Sequence, residues 1–194
     1  VTTPDGAQVG RLTLALDDVL ASLTETDVRE LVEWATHHAP PALASWFDQA
    51  QAAAGDAHTV MAAVSRVLGG SGLIQAPHAA VPAWIRLNLL SAYAGWATGK
   101  CSTCMHSPHA ARPEPVFAAA WRPSLVVCAS CIRLLELPRG SDADRRCDGC
   151  GRVTTGPEHG DGIRPCRAQY GPLLFSYGTC RDCTPEQLVG EAGA

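Results

Sequence analysis

Apolar positions follow a helical rhythm through the first half of the chain and break into short runs in the second. Thr24 suits an N-cap, with Glu25 and Asp27 in the first turn where carboxylates complement the helix dipole. Val28, Leu31, Val32 and Ala35 then recur at i, i+3, i+4, i+7, the spacing of one helix face, until Pro40-Pro41 stops the run. Pro41 can open the next helix. Leu43, Trp46, Phe47 and Ala50 line a second short face before Gly55, and Val60, Met61, Val64, Val67 and Leu68 a third before Gly69-Gly70. Pro82 suits position N1 of a further helix. Trp84, Ile85, Leu87, Leu89, Leu90, Tyr93 and Trp96 surround that helix almost completely, as in one covered on several sides. With another helix over Leu14 to Leu23, residues 1–98 read as an all-α bundle.

Beyond Gly99 the pattern changes: Gly and Pro become frequent, and all nine cysteines appear. Eight of them form four Cys-x-x-Cys pairs, Cys101/Cys104, Cys128/Cys131, Cys147/Cys150 and Cys180/Cys183. The order of features repeats. Each copy has a cysteine pair, an aromatic-x-Pro step (Trp121-Arg122-Pro123, then Tyr170-Gly171-Pro172), and a β-rich run (Ser124 to Val127, then Leu173 to Tyr177). A second pair and a short helical segment follow, Ile132 to Leu137 in one copy and Pro185 to Val189 in the other. The fold class is therefore α+β, with a bundle over 1–98 and a small two-zinc domain over 99–194.

Two residues between cysteines let one turn present both sulfurs to a single ion at about 2.3 Å, and two such pairs close a tetrahedral zinc site. Four pairs imply two Zn²⁺ ions held by all eight paired cysteines. A closed Cys₄ shell leaves no open position for water or substrate, so the metal is expected to hold the fold. Disulfides would need an oxidising compartment, and the opening Val-Thr-Thr-Pro-Asp-Gly-Ala-Gln shows no secretion signal, so the expected setting is cytoplasmic. A thioredoxin-like dithiol is usually a single Cys-x-x-Cys beside a βαβ pattern, unlike four distributed pairs, and a four-iron cluster tends to use closely spaced Cys-x₂-Cys-x₂-Cys runs, which are missing.

A knuckle, a β-hairpin and two further ligands at a helix start resemble the treble-clef variety of zinc finger, and more loosely the zinc ribbons. Cys147-Asp148-Gly149-Cys150-Gly151 is the closest local match, since a glycine after the second cysteine allows the turn that aims backbone amides at sulfur. Four pairs can combine in three ways. Sequential pairing fits the duplication and leaves Pro138 to Arg146 as a polar linker. Cross-braced pairing would resemble RING or FYVE modules; nested pairing would resemble the zinc region of DnaJ chaperones, whose glycine-rich repeats are missing here. His106 and His109 lie close enough to replace a thiolate, but with four sulfurs at hand they read as surface imidazoles. Cys166, flanked by arginines, reads as an incidental or buried thiol rather than a reactive one.

Composition narrows the function. The chain has 194 residues, 46% hydrophobic and 18% charged, enough for two small domains and too apolar for general disorder. The most apolar stretch, Val81 to Thr98, carries Arg86 and Asn88 and does not suit a membrane span. The first half holds four arginines against nine acids, and the second eleven bases against ten acids. Two acids, Asp17-Asp18, read as a solvated turn. A helix-turn-helix over Thr24 to Gln51 is disfavoured by Pro40-Pro41 and by a second helix without Arg or Lys.

Arg133, Arg145, Arg146, Arg152, Arg164 and Arg167 are candidates for a nucleic-acid surface, with Trp121, Tyr170 or Tyr177 as stacking partners for bases. The leading expectation is a non-enzymatic zinc-finger regulator of transcription type, contacting nucleic acid through its fingers while the helical half dimerises or docks on a protein. The alternative is a protein–protein adaptor with structural zinc. An enzyme with structural zinc ranks below both, because phosphate-cradling loops, nucleophile elbows and open metal motifs are missing. Arginines gathered on one face would favour nucleic acid; arginines spent on thiolates and carboxylates would favour a protein partner.

Overall fold

The computed structural model describes residues 6–67, 76 and 78–184. Helix α1 spans Gly6–Ser22, α2 Glu25–His38, α3 Pro41–Val67 and α4 Ala83–Ala97. Five strands follow: β1 Ser102–Thr103, β2 Val116–Ala119, β3 Arg122–Cys128, β4 Arg164–Tyr170 and β5 Leu173–Thr179. This is the expected α+β class.

The start of α2 is the expected one. Thr24 Oγ1 accepts the Asp27 amide at 3.2 Å, and the Asp27 carboxylate accepts the Thr24 amide at 2.8 Å, a reciprocal capping box. Pro82 caps α4 from one residue before its first turn, with φ −51° and ψ 135°. The expected break at Gly55 does not occur, and two short helices are one helix of 27 residues. A mid-helix glycine costs only about 1 kcal/mol relative to alanine, and here it sits among strong helix-forming alanines. Leu68 with its Gly-Gly stop, and the segment Pro185 to Val189, lie outside the described residues.

The sheet order is β1-β3-β2-β5-β4. β2–β3 and β4–β5 are antiparallel hairpins, one per copy of the sequence repeat. Ala120-Trp121 makes the first turn, with Arg122-Pro123 already in β3, and Gly171-Pro172 makes the second, with Gly171 at φ +53°. Parallel pairing of β2 with β5, from Val116↔Leu173 to Ala119↔Ser176, joins the hairpins into one sheet. Because β3 and β5 then run in opposite directions, the cysteine pairs at their C-terminal ends lie at opposite ends of the sheet.

Strand alternation directs side chains to two faces, and a helix covers each. On one face Val116, Ala118, Val126, Leu173, Phe175 and Tyr177 pack with Ile85, Leu89, Ala92 and Trp96 of α4. On the other, Phe117, Ala119, Val127 and Leu174 pack with Ala57 and Met61 of α3. The small Ala57 permits close approach, and Gln169 Nε2 of β4 donates to the Ala54 carbonyl at 2.7 Å. Both cores thus take residues from each side of residue 99 and are confined to neither compositional half.

Nor do the first three helices bundle together as expected. α1 packs on α4 and α3 on the sheet. The reason lies in the sheet, which offers two broad apolar faces and takes the helices that a self-contained bundle would need. On α2, every described side chain is exposed except Asp27, which is half-buried in the cap.

Asp17, expected in a solvated turn, is buried and fastens α1 to α4. Its carboxylate accepts Arg86 Nε at 2.9 Å and Nη2 at 3.1 Å, and lies 2.8 Å from His78 Nε2. The hydrogen bonds from Arg86 hold this carboxyl below its ordinary value, against the opposing effect of burial and with help from His78. A depressed carboxyl stabilises the fold above its unfolded value of about 4 and loses that contribution as pH falls further. Arg86→Ala should cost about 3 kcal/mol by leaving Asp17 without its charge partner. Thermal unfolding at pH 7 and below pH 4 checks this: the deficit of the variant should shrink in acid.

Candidate metal centres

The two knuckle regions differ in how they bend. Around Cys147 the Gly151 amide donates to the Cys147 carbonyl at 2.8 Å, and Gly151 takes φ +75°, the left-handed conformation glycine adopts freely. Both Cys147 and Cys150 thereby face one point, joined by Cys180 and Cys183 from the end of β5. All four sulfurs lie within 4.8 Å of one another.

Around Cys101 the chain is instead extended. Ser102 and Thr103 form β1 and pair with Leu125 and Val126. Residues three apart on an extended segment face opposite sides, and Cys101 falls outside the group of side chains that could hold an ion. Cys101 packs in the α4 core, its Cβ 3.4 Å from where a Cβ on Gly95 would lie, and burial pushes its thiol pKa up. Cys104 faces the α3 side. The fourth side chain grouped here is His106, with Cys104, Cys128 and Cys131, all four ligand atoms lying within 4.8 Å of one another.

The structure therefore brings together seven of the eight expected thiols, in sequential pairing, and replaces Cys101 with His106. The Cys104-x-His106 spacing was visible, but the strand that turns Cys101 away depends on pairing with distant residues. His109, by contrast, accepts the Ala111 amide at 3.1 Å on its Nδ1.

Both centres repeat one hydrogen bond. The Cys128 amide donates to Cys104 Sγ at 3.3 Å, and the Cys180 amide to Cys147 Sγ at 3.3 Å. Burial works to raise Cys147, but amides of Cys180, Cys150 and Gly149 aimed at its sulfur outweigh it and bring the thiol down to about 7. At Cys104 burial is likewise outweighed, by amides of Cys128 and His106. Burial and the neighbouring sulfurs push Cys131 up to about 11 and Cys183 to about 12. Each cluster thus holds one thiol prepared for ionisation and resists full ionisation until a cation joins it.

The donor spacings fit such a cation. Zinc–sulfur and zinc–nitrogen bonds of about 2.3 and 2.0 Å in a tetrahedron imply S···S of roughly 3.8 Å and N···S of roughly 3.5 Å. Cys150 and Cys180 sulfurs are 3.9 Å apart, and His106 Nδ1 is 3.4 Å from Cys131 Sγ. The two clusters can hold two metal ions.

The second centre is braced from the helix side. A Cβ on Gly149 would lie 3.3 Å from both the Trp84 ring and the Cys183 Cβ, and Trp84 meets Tyr177 edge-on at 5.5 Å. At the first centre, Trp46 of α3 and Trp96 of α4 donate to the Ala110 and Pro108 carbonyls, at 2.9 and 3.0 Å, fixing the loop after His106.

Three of the six candidate arginines are held by local partners. Arg145 pairs with Asp142 at 3.0 Å, and Arg146 donates to the Gly151 carbonyl at 3.1 Å. Arg152 lies 3.0 Å from Asp161 and 3.7 Å from Asp182, and interacts with Cys180. Arg133 follows the first centre, whereas Arg164 and Arg167 lie on β4 at the far edge of the sheet, three residues apart and so on opposite faces. The aromatic candidates are committed to packing: Tyr177 is buried, Tyr170 meets Tyr93 edge-on at 5.2 Å, and Trp121 donates to the Leu135 carbonyl at 2.6 Å. Cys166 is a β4 thiol whose pKa is raised by burial against the α4 core.

No family model matches the chain, and comparison with curated proteins and with solved structures gives no match either.

Metal analysis of single variants distinguishes the two donor sets at the first centre. Cys101→Ser should retain two ions per chain, whereas Cys104→Ser and Cys150→Ser should each retain one, with unfolding at lower temperature. Loss of an ion in Cys101→Ser would restore the four-thiolate set.

Proposed function

We propose that this chain is a non-enzymatic protein-interaction module whose two ions are structural zinc. The observation that carries this reading is where the arginines are spent. Arg145 and Arg152 face carboxylates, Arg152 also faces the Cys180 sulfur, Arg146 is held on the Gly151 carbonyl, and Arg164 and Arg167 alternate to opposite faces of β4. A phosphate track needs basic side chains along one surface, and single-strand binding needs exposed rings for stacking.

The donor chemistry supports zinc. Thiolate-rich tetrahedral sets are the usual structural zinc ligands, and four protein donors leave no position for a reacting water. Zinc supplies folding free energy in such sites, about 10 kcal/mol or more. Arg152 beside Cys180 would offset part of the negative charge of a four-thiolate zinc centre, and a neutral His106 lowers that charge at the other. A reducing, cytoplasmic setting suits nine free thiols. No described helix is long and apolar enough to cross a membrane.

Nucleic-acid binding is the reading to test against. Fluorescence anisotropy of the zinc-loaded protein with duplex DNA, single-stranded DNA and RNA should show no binding at about 0.15 M salt. Zinc-dependent binding whose log affinity falls linearly with log salt would overturn the proposal by establishing phosphate contacts.

A further inference from the structure

Helix α2 is amphipathic, and among the described residues its apolar side chains are exposed. Val28 and Leu31 lie on one stripe, and Trp34 adjoins Leu31 one turn on. They are 46%, 54% and 57% exposed. Helices of about 12–15 residues are marginal alone in water, and in proteins their stability comes mostly from burying the apolar face. α2 has 14 residues and a capping box at its start, yet its stripe meets solvent.

Charge selects what covers it. The sequence of α2 carries four acids against one arginine, and residues 6–67 carry eight acids against three arginines. Glu30 and Glu33 are exposed beside the stripe. A second copy would bring the same negative surface against itself, whereas a positively charged partner gains complementarity along the rim.

Resting on the protein-interaction reading above, we infer that the Val28–Leu31–Trp34 face of α2 docks a basic amphipathic helix of a partner protein. Leucine-like side chains of that helix cover the stripe, and its Lys or Arg residues meet Glu30 and Glu33. Trp34 is the central anchor, being the kind of large ring that dominates binding energy when an interface encloses it. The candidate metal centres take no part in the contact.

The test uses the full zinc-loaded chain and three labelled 18-residue peptides. The first places Leu on one helical face and Lys on the other. The second keeps that pattern with Glu for Lys, and the third scrambles the Leu/Lys order to destroy the face. Anisotropy at about 0.15 M salt should show binding of the first peptide at least tenfold tighter than of either control. Leu31→Ser with Trp34→Ser should weaken it at least tenfold, and Glu30→Lys with Glu33→Lys similarly, with zinc content and circular dichroism unchanged because these side chains are exposed. Equal binding of the three peptides, or variants that bind as the parent does, would overturn the inference. So would light scattering that shows a dimer dissociated by Leu31→Ser with Trp34→Ser, since the occupant would then be a second copy. These failures leave the protein-interaction reading standing; that reading fails on zinc-dependent, salt-sensitive binding to nucleic acid.

Discussion

Everything in this fold hangs on the parallel seam between β2 and β5. Each hairpin alone is a two-stranded ribbon, and such ribbons are marginal in water without a third strand or a packed helix. Pairing Val116–Ala119 with Leu173–Ser176 turns two ribbons into a five-stranded sheet with two apolar faces. Every residue of β2 is buried, as is nearly all of β5, because each strand has neighbours on both sides and a helix above and below. Parallel sheets tend to be covered on both faces for the same reason. α3 and α4 supply that cover, so the helical half completes the cysteine-rich half.

The metal centres take their positions from this seam. Since β3 and β5 run oppositely, their cysteine pairs finish at opposite ends, and α4 stretches between them. Trp84 near its start meets the Gly149 knuckle, and Gly95 near its end meets Cys101. The centres share an N–H···S bond but differ in surroundings. Cys147 and Cys180 are buried, whereas His106 is exposed. The two copies share the hairpin and the following cysteine pair and differ at the entry to each site, a glycine turn in one and a short strand in the other.

Local signals were legible in the sequence. The Thr24–Asp27 cap, the proline bounds of α3 and α4, both hairpins and the two-centre grouping of cysteines followed from periodicity and spacing. Features set by distant partners were not. Cys101 looks like a ligand until Ser102 and Thr103 pair with Leu125 and Val126, which rotates it to the opposite face. Asp17 looks solvated until Arg86 and His78 close on it. The expected bundle misled because an amphipathic stripe shows that a face is to be covered, and says nothing of which element covers it.

The seam also dictates a timetable. It sets residue 116 beside residue 173, with the first hairpin and the pairs Cys128/Cys131 and Cys147/Cys150, half of each centre, between them in the chain. Such a contact pays its loop-closure entropy before any reward, so it forms late, after the local hairpins. Helices α3 and α4 are made first, yet the faces they cover are incomplete until Phe175 and Tyr177 have left the ribosome. During synthesis Trp84, Ile85, Leu89 and Trp96 therefore wait for β5, the last strand to be made, before their cover is complete.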